Sequence, residues 1–177
     1  DLYDYFMLDE RRLFLLVGDV AGKGLSASIF MAISKALYKS ATLRMADADI
    51  GEIMTAANDE VSRDNPEALF VTAFAAILDL DAGNLAYCNA GHDNPYLLQP
   101  GATAPTRLSD GDGPPLCAVD GFRYAAAQHR MRRGIQVAQR DHGQNLGTPR
   151  AAVNRTGVSP LSERVVGQRV GLGRRLR

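Results

Sequence analysis

LLVGDVAGKGLSASIFMAISKAL, residues 15–37, decides how this chain folds. An apolar run ends at Asp19, glycines at 22 and 24 bracket Lys23, and a helical pattern follows. The run before Asp19 reads as a strand buried on both faces. From Leu25 the apolar residues Leu25, Ile29, Ile33 and Leu37 recur every four positions. That spacing predicts a helix to about Met45, with this stripe packed onto a sheet. On this reading Ile33→Asp would bury an unpaired charge and unfold the domain. A carboxylate at the end of a buried strand is itself costly unless it is paired or bound to metal. The stretch is not a phosphate-binding P-loop, because Gly18 and Gly22 are one residue too close and Gly24, not a hydroxyl residue, follows Lys23. GxGxxG does not occur there either. Two readings of Asp19 remain: a polar residue helping to cap the helix across a glycine turn, or a metal ligand.

Working outward, DLYDYFM (1–7) is an aromatic-rich strand, and DERR (9–12) is a polar turn leading into LFLLVGD (13–19). Asp49 followed by Glu52 has the pattern of a capping box. Ile50, Ile53, Met54, Ala57 and Val61 then carry a second helix over residues 49–63, stopped by Asn65-Pro66. ALFVTAFAAILDL (68–80) and LAYCNAG (85–91) read as strands joined by the turn DAGN (81–84), with Asp79 and Asp81 as turn residues. NPYLLQPG (94–101) is a short strand and turn, residues 100–115 are a Gly/Pro/Asp-rich loop, and FRYAAA (122–127) begins a further strand.

The net charge of zero conceals a split. Residues 1–124 hold nine basic residues against eighteen acidic ones, whereas residues 125–177 hold eleven arginines against Asp141 and Glu163. Residues 125–177 also lack helical or strand periodicity, any lysine and, after Tyr124, any Phe, Tyr or Trp. Arginines scattered among Gly, Val and Gln do not make the basic face that nucleic acid requires, so this segment is expected to be unpacked. No apolar run is long enough to span a membrane. Cys88 and Cys117 have no metal-ligand spacing, and as isolated thiols they fit a reducing, cytoplasmic setting.

Four segments in order resemble the bacterial PPM-type (metal-dependent, type 2C) serine/threonine protein phosphatases, in the branch of sporulation stage II E and RsbU-like regulators. They are DLYDYF (1–6), VGDVAGKG (17–24) with its long helix, LFVTAFAAILDLDAGNLAYCNAGHDNPYLL (69–98) and DGDGPPLCAV (110–119). The resemblance covers about residues 1–124 and implies an α/β fold, the α-β-β-α four-layer sandwich of that family, incomplete at its C-terminal side. It implies two Mn2+ or Mg2+ ions held by oxygen ligands, which suit hard cations. Asp1 and Asp19 would be the catalytic metal ligands, the Val20 backbone carbonyl would add an oxygen, and Asp4 is a further candidate. Lys23 and His92 are candidates for contact with substrate phosphate. The resemblance further implies hydrolysis of phosphoserine or phosphothreonine on a regulatory protein of the anti-sigma-factor antagonist type by a metal-activated water. A sensor or response-regulator domain upstream would fit that role.

After Tyr124 the family pattern stops. Its Pro-Gly-Asp turn, the apolar strand and the Thr-Asp-Gly aspartate that completes the metal site are not found, and RDHG (140–143) has no apolar strand before it. The chain also opens on the family's first aspartate without the two glycines that precede it. The expected organisation is therefore a phosphatase domain over 1–124, incomplete at both ends, and an Arg-rich tail over 125–177 that is disordered or shifted out of the family reading frame. The competing functions are a catalytically inactive phosphatase-like binding module and, less favoured by the arginine pattern, a nucleic-acid binder.

Overall fold

The computed structural model describes residues 1–63, 65–131 and 136–138. Strands β1 (Leu2–Met7) and β2 (Arg12–Val20) form the opening hairpin, and helices α1 (Gly24–Arg44) and α2 (Ile50–Ser62) follow. Then come β3 (Val71–Asp79), β4 (Asn84–Ala90), β5 (Tyr96–Leu98), β6 (Thr106–Arg107), β7 (Asp112–Gly113), β8 (Ala127–Arg130) and β9 (Gln136–Ala138). One sheet has the order β1-β2-β3-β4-β7, with β8 also paired to β4, and a smaller sheet has the order β6-β5-β9. The pairs β1–β2, β2–β3 and β3–β4 are antiparallel, whereas β7 runs parallel to β4.

Strand alternation sorts the core into two. Leu2, Phe14, Leu16, Val71, Ala73, Ala75, Cys88 and Ala90 pack with residues of α1 and α2. On the opposite face Ala76, Leu85 and Tyr87 pack with Leu97 of the small sheet and Leu108. Helices, large sheet and small sheet thus stack as three layers, an α/β arrangement in which no helix covers the outer side of the small sheet among the described residues.

The β1–β2 turn is built by one carboxylate. Asp9 Oδ1 accepts the N–H groups of Arg11 and Arg12, each at 2.8 Å, and Asp9 Oδ2 accepts Arg12 Nε–H at 2.6 Å. Arg12 Nη1 also donates to Ala46 O at 2.7 Å, tying the hairpin to the link between the helices. These bonds, first those from the Arg11 backbone and the Arg12 side chain, lower the Asp9 pKa from 3.8 to about 2. A carboxyl depressed in the folded state contributes stability above its unfolded pKa and loses it as pH falls through the folded one. The gap in urea midpoint between wild type and Asp9→Ala should therefore be constant near pH 5 and shrink between pH 3.8 and about 2. A gap independent of pH would refute this account of the turn.

Helix α2 follows its sequence pattern. Asp49 accepts the Glu52 N–H at 2.9 Å, the Glu52 side chain returns to the Asp49 N–H, and Ile50, Ile53, Met54, Ala57 and Val61 are buried. Helix α1 does not follow the predicted stripe. Leu25, Ile29 and Ile33 are 76%, 51% and 49% exposed, while Ala27, Phe30, Ser34, Tyr38 and Ala41 face the sheet. The helix is apolar on more than one side, so four-residue spacing fits two neighbouring stripes. The one carrying the ring volume of Phe30 and Tyr38 fills the space above the sheet. Of the predicted stripe only Leu37 packs partly against the core. The consequence for Ile33→Asp is reversed: a half-exposed site accepts the charge, and the melting temperature should move little. Phe30→Ala, which empties a buried aromatic site, should cost about 3–5 kcal/mol. Equal losses from both variants in thermal melts would restore the original stripe.

Order continues past residue 124. Phe122–Ala126 is not a strand but an irregular segment held over α2, where Thr55 Oγ1 accepts the Tyr124 N–H at 3.0 Å and Asn58 Oδ1 accepts the Cys117 N–H at 2.8 Å. Strand β8 begins at Ala127 and pairs with β4 from Tyr87↔Ala127 to Asn84↔Arg130, and β9 pairs with β5. These two strands fall within the segment expected from sequence to be an unpacked tail over 125–177. The same expectation for residues 139–177 lies outside the described residues.

Candidate metal centre

The β1–β2 register pairs Leu2 with Gly18, which sets Asp1 opposite Asp19 at one end of the large sheet. The Asp1 amino group lies 3.9 Å from Asp19 Oδ1, and the two side chains are 94% and 64% exposed. Two of the predicted ligands therefore meet in the open. Asp19 does not cap α1, whose N-cap is Lys23 without a side-chain hydrogen bond. The turn between them uses the left-handed backbone of Gly22 (φ 112°) and Gly24 (φ 84°), a conformation that favours glycine. Lys23 is exposed at the helix start.

Gly18 serves a different purpose, because strand β3 comes too close for a side chain. A Cβ at Gly18 would lie 2.4 Å from Thr72 O. Beyond it, the Ala21 N–H donates to Phe70 O at 2.9 Å. Bonded and non-bonded pairs alternate along an antiparallel ladder. Asp19 and Ala21 therefore use their backbone groups on β3, and the Val20 carbonyl turns to the β1 side, at the level of Asp1 and beyond. Asp1, Asp19 and Val20 are thus gathered at one strand end.

Asp4 is held elsewhere. It pairs in register with Leu16, three residues down β1, and its Oδ2 lies 3.5 Å from Lys39 Nζ of α1. The structure does not bring it to Asp1 and Asp19. The turn after β4 does approach them. A parallel bridge joins Gly91 to Ala73, and His92 Nδ1 sits 2.9 Å from Thr72 Oγ1, the residue opposite Asp19. Thr72 Oγ1 is also 3.3 Å from Asp19 O. His92 is fastened by Asn89, whose side chain bonds both the N–H and the C=O of His92 at 2.9 Å. Asn89 also bonds Asn94, which donates to Asp112 Oδ2 at 3.2 Å. Thr72, Asn89, Asn94 and Asp112 were not among the candidates from sequence; the one trace they left was the pair of asparagines bracketing His92 in NAGHDN.

Asp1, Asp19 and the Val20 carbonyl, placed by register at one solvent-open strand end, are oxygen donors of the kind that suit a hard divalent cation. Among the described residues no group of three or more His, Cys, Asp or Glu side chains gathers as an ion cage. Burial pushes the Cys88 thiol up to about 12 and also raises that of Cys117. Asp79 is a turn residue, accepting the N–H groups of Asp81 and Ala82 at 2.9 and 2.8 Å.

A twisted sheet carrying two helices on one face, a second sheet on the other and aspartates at a shared strand end defines a PP2C-type phosphatase fold. The same fold occurs in the RsbU and RsbW domain structure of Rv1364c from Mycobacterium tuberculosis, with a TM-score of 0.64 and 22% identity over 76% of this chain and 37% of that one. It occurs too in the PP2C phosphatase domain of SpoIIE from Bacillus subtilis, with a TM-score of 0.62 and 15% identity over 75% of this chain and 38% of that one. The family profile of stage II sporulation protein E (SpoIIE) matches residues 9–138, and the chain belongs to that family. Phosphoserine phosphatase RsbU of Bacillus subtilis is 26% identical over 51% of this chain and 27% of its own length. The chain thus spans about a quarter of that relative. No helix among the described residues is long and apolar enough to cross a membrane.

Proposed function

We propose that this chain contributes the Asp1–Asp19 metal centre of a PP2C-type protein phosphatase that removes phosphate from phosphoserine or phosphothreonine of a cytoplasmic regulatory protein, an anti-sigma-factor antagonist. The observation that carries this reading is the convergence of Asp1, Asp19 and the Val20 carbonyl at one open strand end in a chain of this family. The name of RsbU supports the substrate class. Asp1 and Asp19 would hold Mn2+ or Mg2+, two ions in the complete site. Such ions, when bound, supply the positive charge that acidifies a water and neutralises the phosphoryl oxygens. The chain's own residues position the carboxylates and leave them open to a protein-sized substrate. Lys23, exposed four residues after Asp19, and His92, beside Thr72, are the groups offered to the phosphate. A sensor or response-regulator domain elsewhere in the protein would control the activity.

The test is phosphate release from p-nitrophenyl phosphate and from a phosphoserine peptide with Mn2+, repeated with EDTA. Release that requires Mn2+ supports the reading. A second reading, a phosphatase-like module that binds its partner without hydrolysis, is favoured by the two-carboxylate donor set among the described residues. Mn2+ binding without release from either substrate would select it.

A further inference from the structure

We propose that Thr72 is a positioning residue of the Asp19 centre, the middle member of a hydrogen-bond relay that runs from β4 through His92 to the backbone of β2. The proposal rests on the reading of Asp19 as a metal ligand. Thr72 stands directly opposite Asp19 in the β2–β3 register. Its hydroxyl oxygen is 3.3 Å from Asp19 O and 2.9 Å from His92 Nδ1.

A hydroxyl has one proton to give. The Asp19 carbonyl is only an acceptor, so Thr72 O–H donates to it and Thr72 Oγ1 accepts from His92 Nδ1–H. The direction of the relay is thereby set, and His92 Nδ1 carries a proton whatever the charge of the ring. The backbone of His92 is in turn held by a buried side chain. Asn89 is 2% exposed and clamps both peptide groups of His92, and its amide also bonds buried Asn94, which is anchored on Asp112 of β7. The relay thus connects β7, β4 and β3 to the Asp19–Val20 peptide of β2.

That peptide joins the two β2 positions assigned to the metal. An exposed carboxylate is a good ligand only if its backbone is held still, and partners behind a ligand typically change metal affinity about 10–100-fold. Thr72 reaches the ligand through the backbone, leaving both Asp19 carboxylate oxygens to the ion.

The experiment compares wild type, Thr72→Val and Thr72→Ser in the full 177-residue chain. Three readouts are taken: Mn2+ affinity by electron paramagnetic resonance titration, the ring 15N shifts of His92 without metal, and thermal melting. The expected result is a protonated Nδ1 in wild type and a loss of at least about 10-fold in Mn2+ affinity for Thr72→Val. The melting temperature should stay close to wild type, and Thr72→Ser should restore both the affinity and the 15N signature. Wild-type affinity in Thr72→Val, or an unprotonated Nδ1 in wild type, overturns the relay. A wild-type chain that binds no Mn2+ overturns the metal reading instead, and the two failures are told apart because the ring shifts are read without metal.

Discussion

Asp19→Ala should abolish Mn2+-dependent phosphate release and weaken Mn2+ binding by more than about 100-fold, since it removes a ligand outright where a supporting partner costs about 10–100-fold. The same variant should melt close to wild type. The Asp19 side chain is 64% exposed, so truncation opens no cavity and strands no buried partner. Exposed substitutions of this kind usually change stability by no more than about 0.5 kcal/mol. Asp4→Ala should give the opposite pattern. It breaks the contact with Lys39 Nζ at 3.5 Å, away from the strand end, and so should lower stability modestly while leaving Mn2+ affinity intact. Isothermal titration with Mn2+ and thermal melts of both variants check the pair. Wild-type binding by Asp19→Ala, or lost binding in Asp4→Ala, would move the centre to another carboxylate.

Gly18→Ala should damage the sheet beside the site with a single methyl addition. The new Cβ would sit 2.4 Å from Thr72 O, a distance that only backbone movement relieves, and both atoms belong to central strands of the large sheet. Overpacking of this kind costs about 1–3 kcal/mol, and more where the opposing atom is a backbone oxygen that cannot rotate away. Separating β2 from β3 at this level also pulls Asp19 from Thr72, so Mn2+ affinity should fall even in the fraction that remains folded. Gly24→Ala is the control. Nothing lies within 4 Å of its would-be Cβ, and its φ of 84° leaves only the backbone strain of a left-handed residue, about 1–2 kcal/mol. Urea denaturation should rank Gly18→Ala well below Gly24→Ala. The reverse ranking would mean that the strands tolerate the shift.

The features legible in the amino-acid order are those set by neighbours along the chain. The Asp49–Glu52 capping box, the buried stripe of α2, the hairpin turned at Asp79–Gly83 and the glycine turn after Asp19 all rest on contacts within a few residues. The family motifs likewise single out Asp1, Asp19 and Val20, and antiparallel pairing sets the two aspartates side by side because the β1–β2 turn fixes the register. Folding in three dimensions decided the rest. Which stripe of α1 meets the sheet depended on where Phe30 and Tyr38 fit, a question of volume across layers that no four-residue spacing answers. Asp4 went to Lys39 because strand alternation points it at the helix. The contacts that link Asn94, Asn89, His92, Thr72 and the Asp19 backbone form only through cross-strand register and the bridge from Gly91 to Ala73, which joins residues far apart in the chain. Strands β8 and β9, without periodicity of their own, form because β4 and β5 present unpaired edges whose backbone groups require partners.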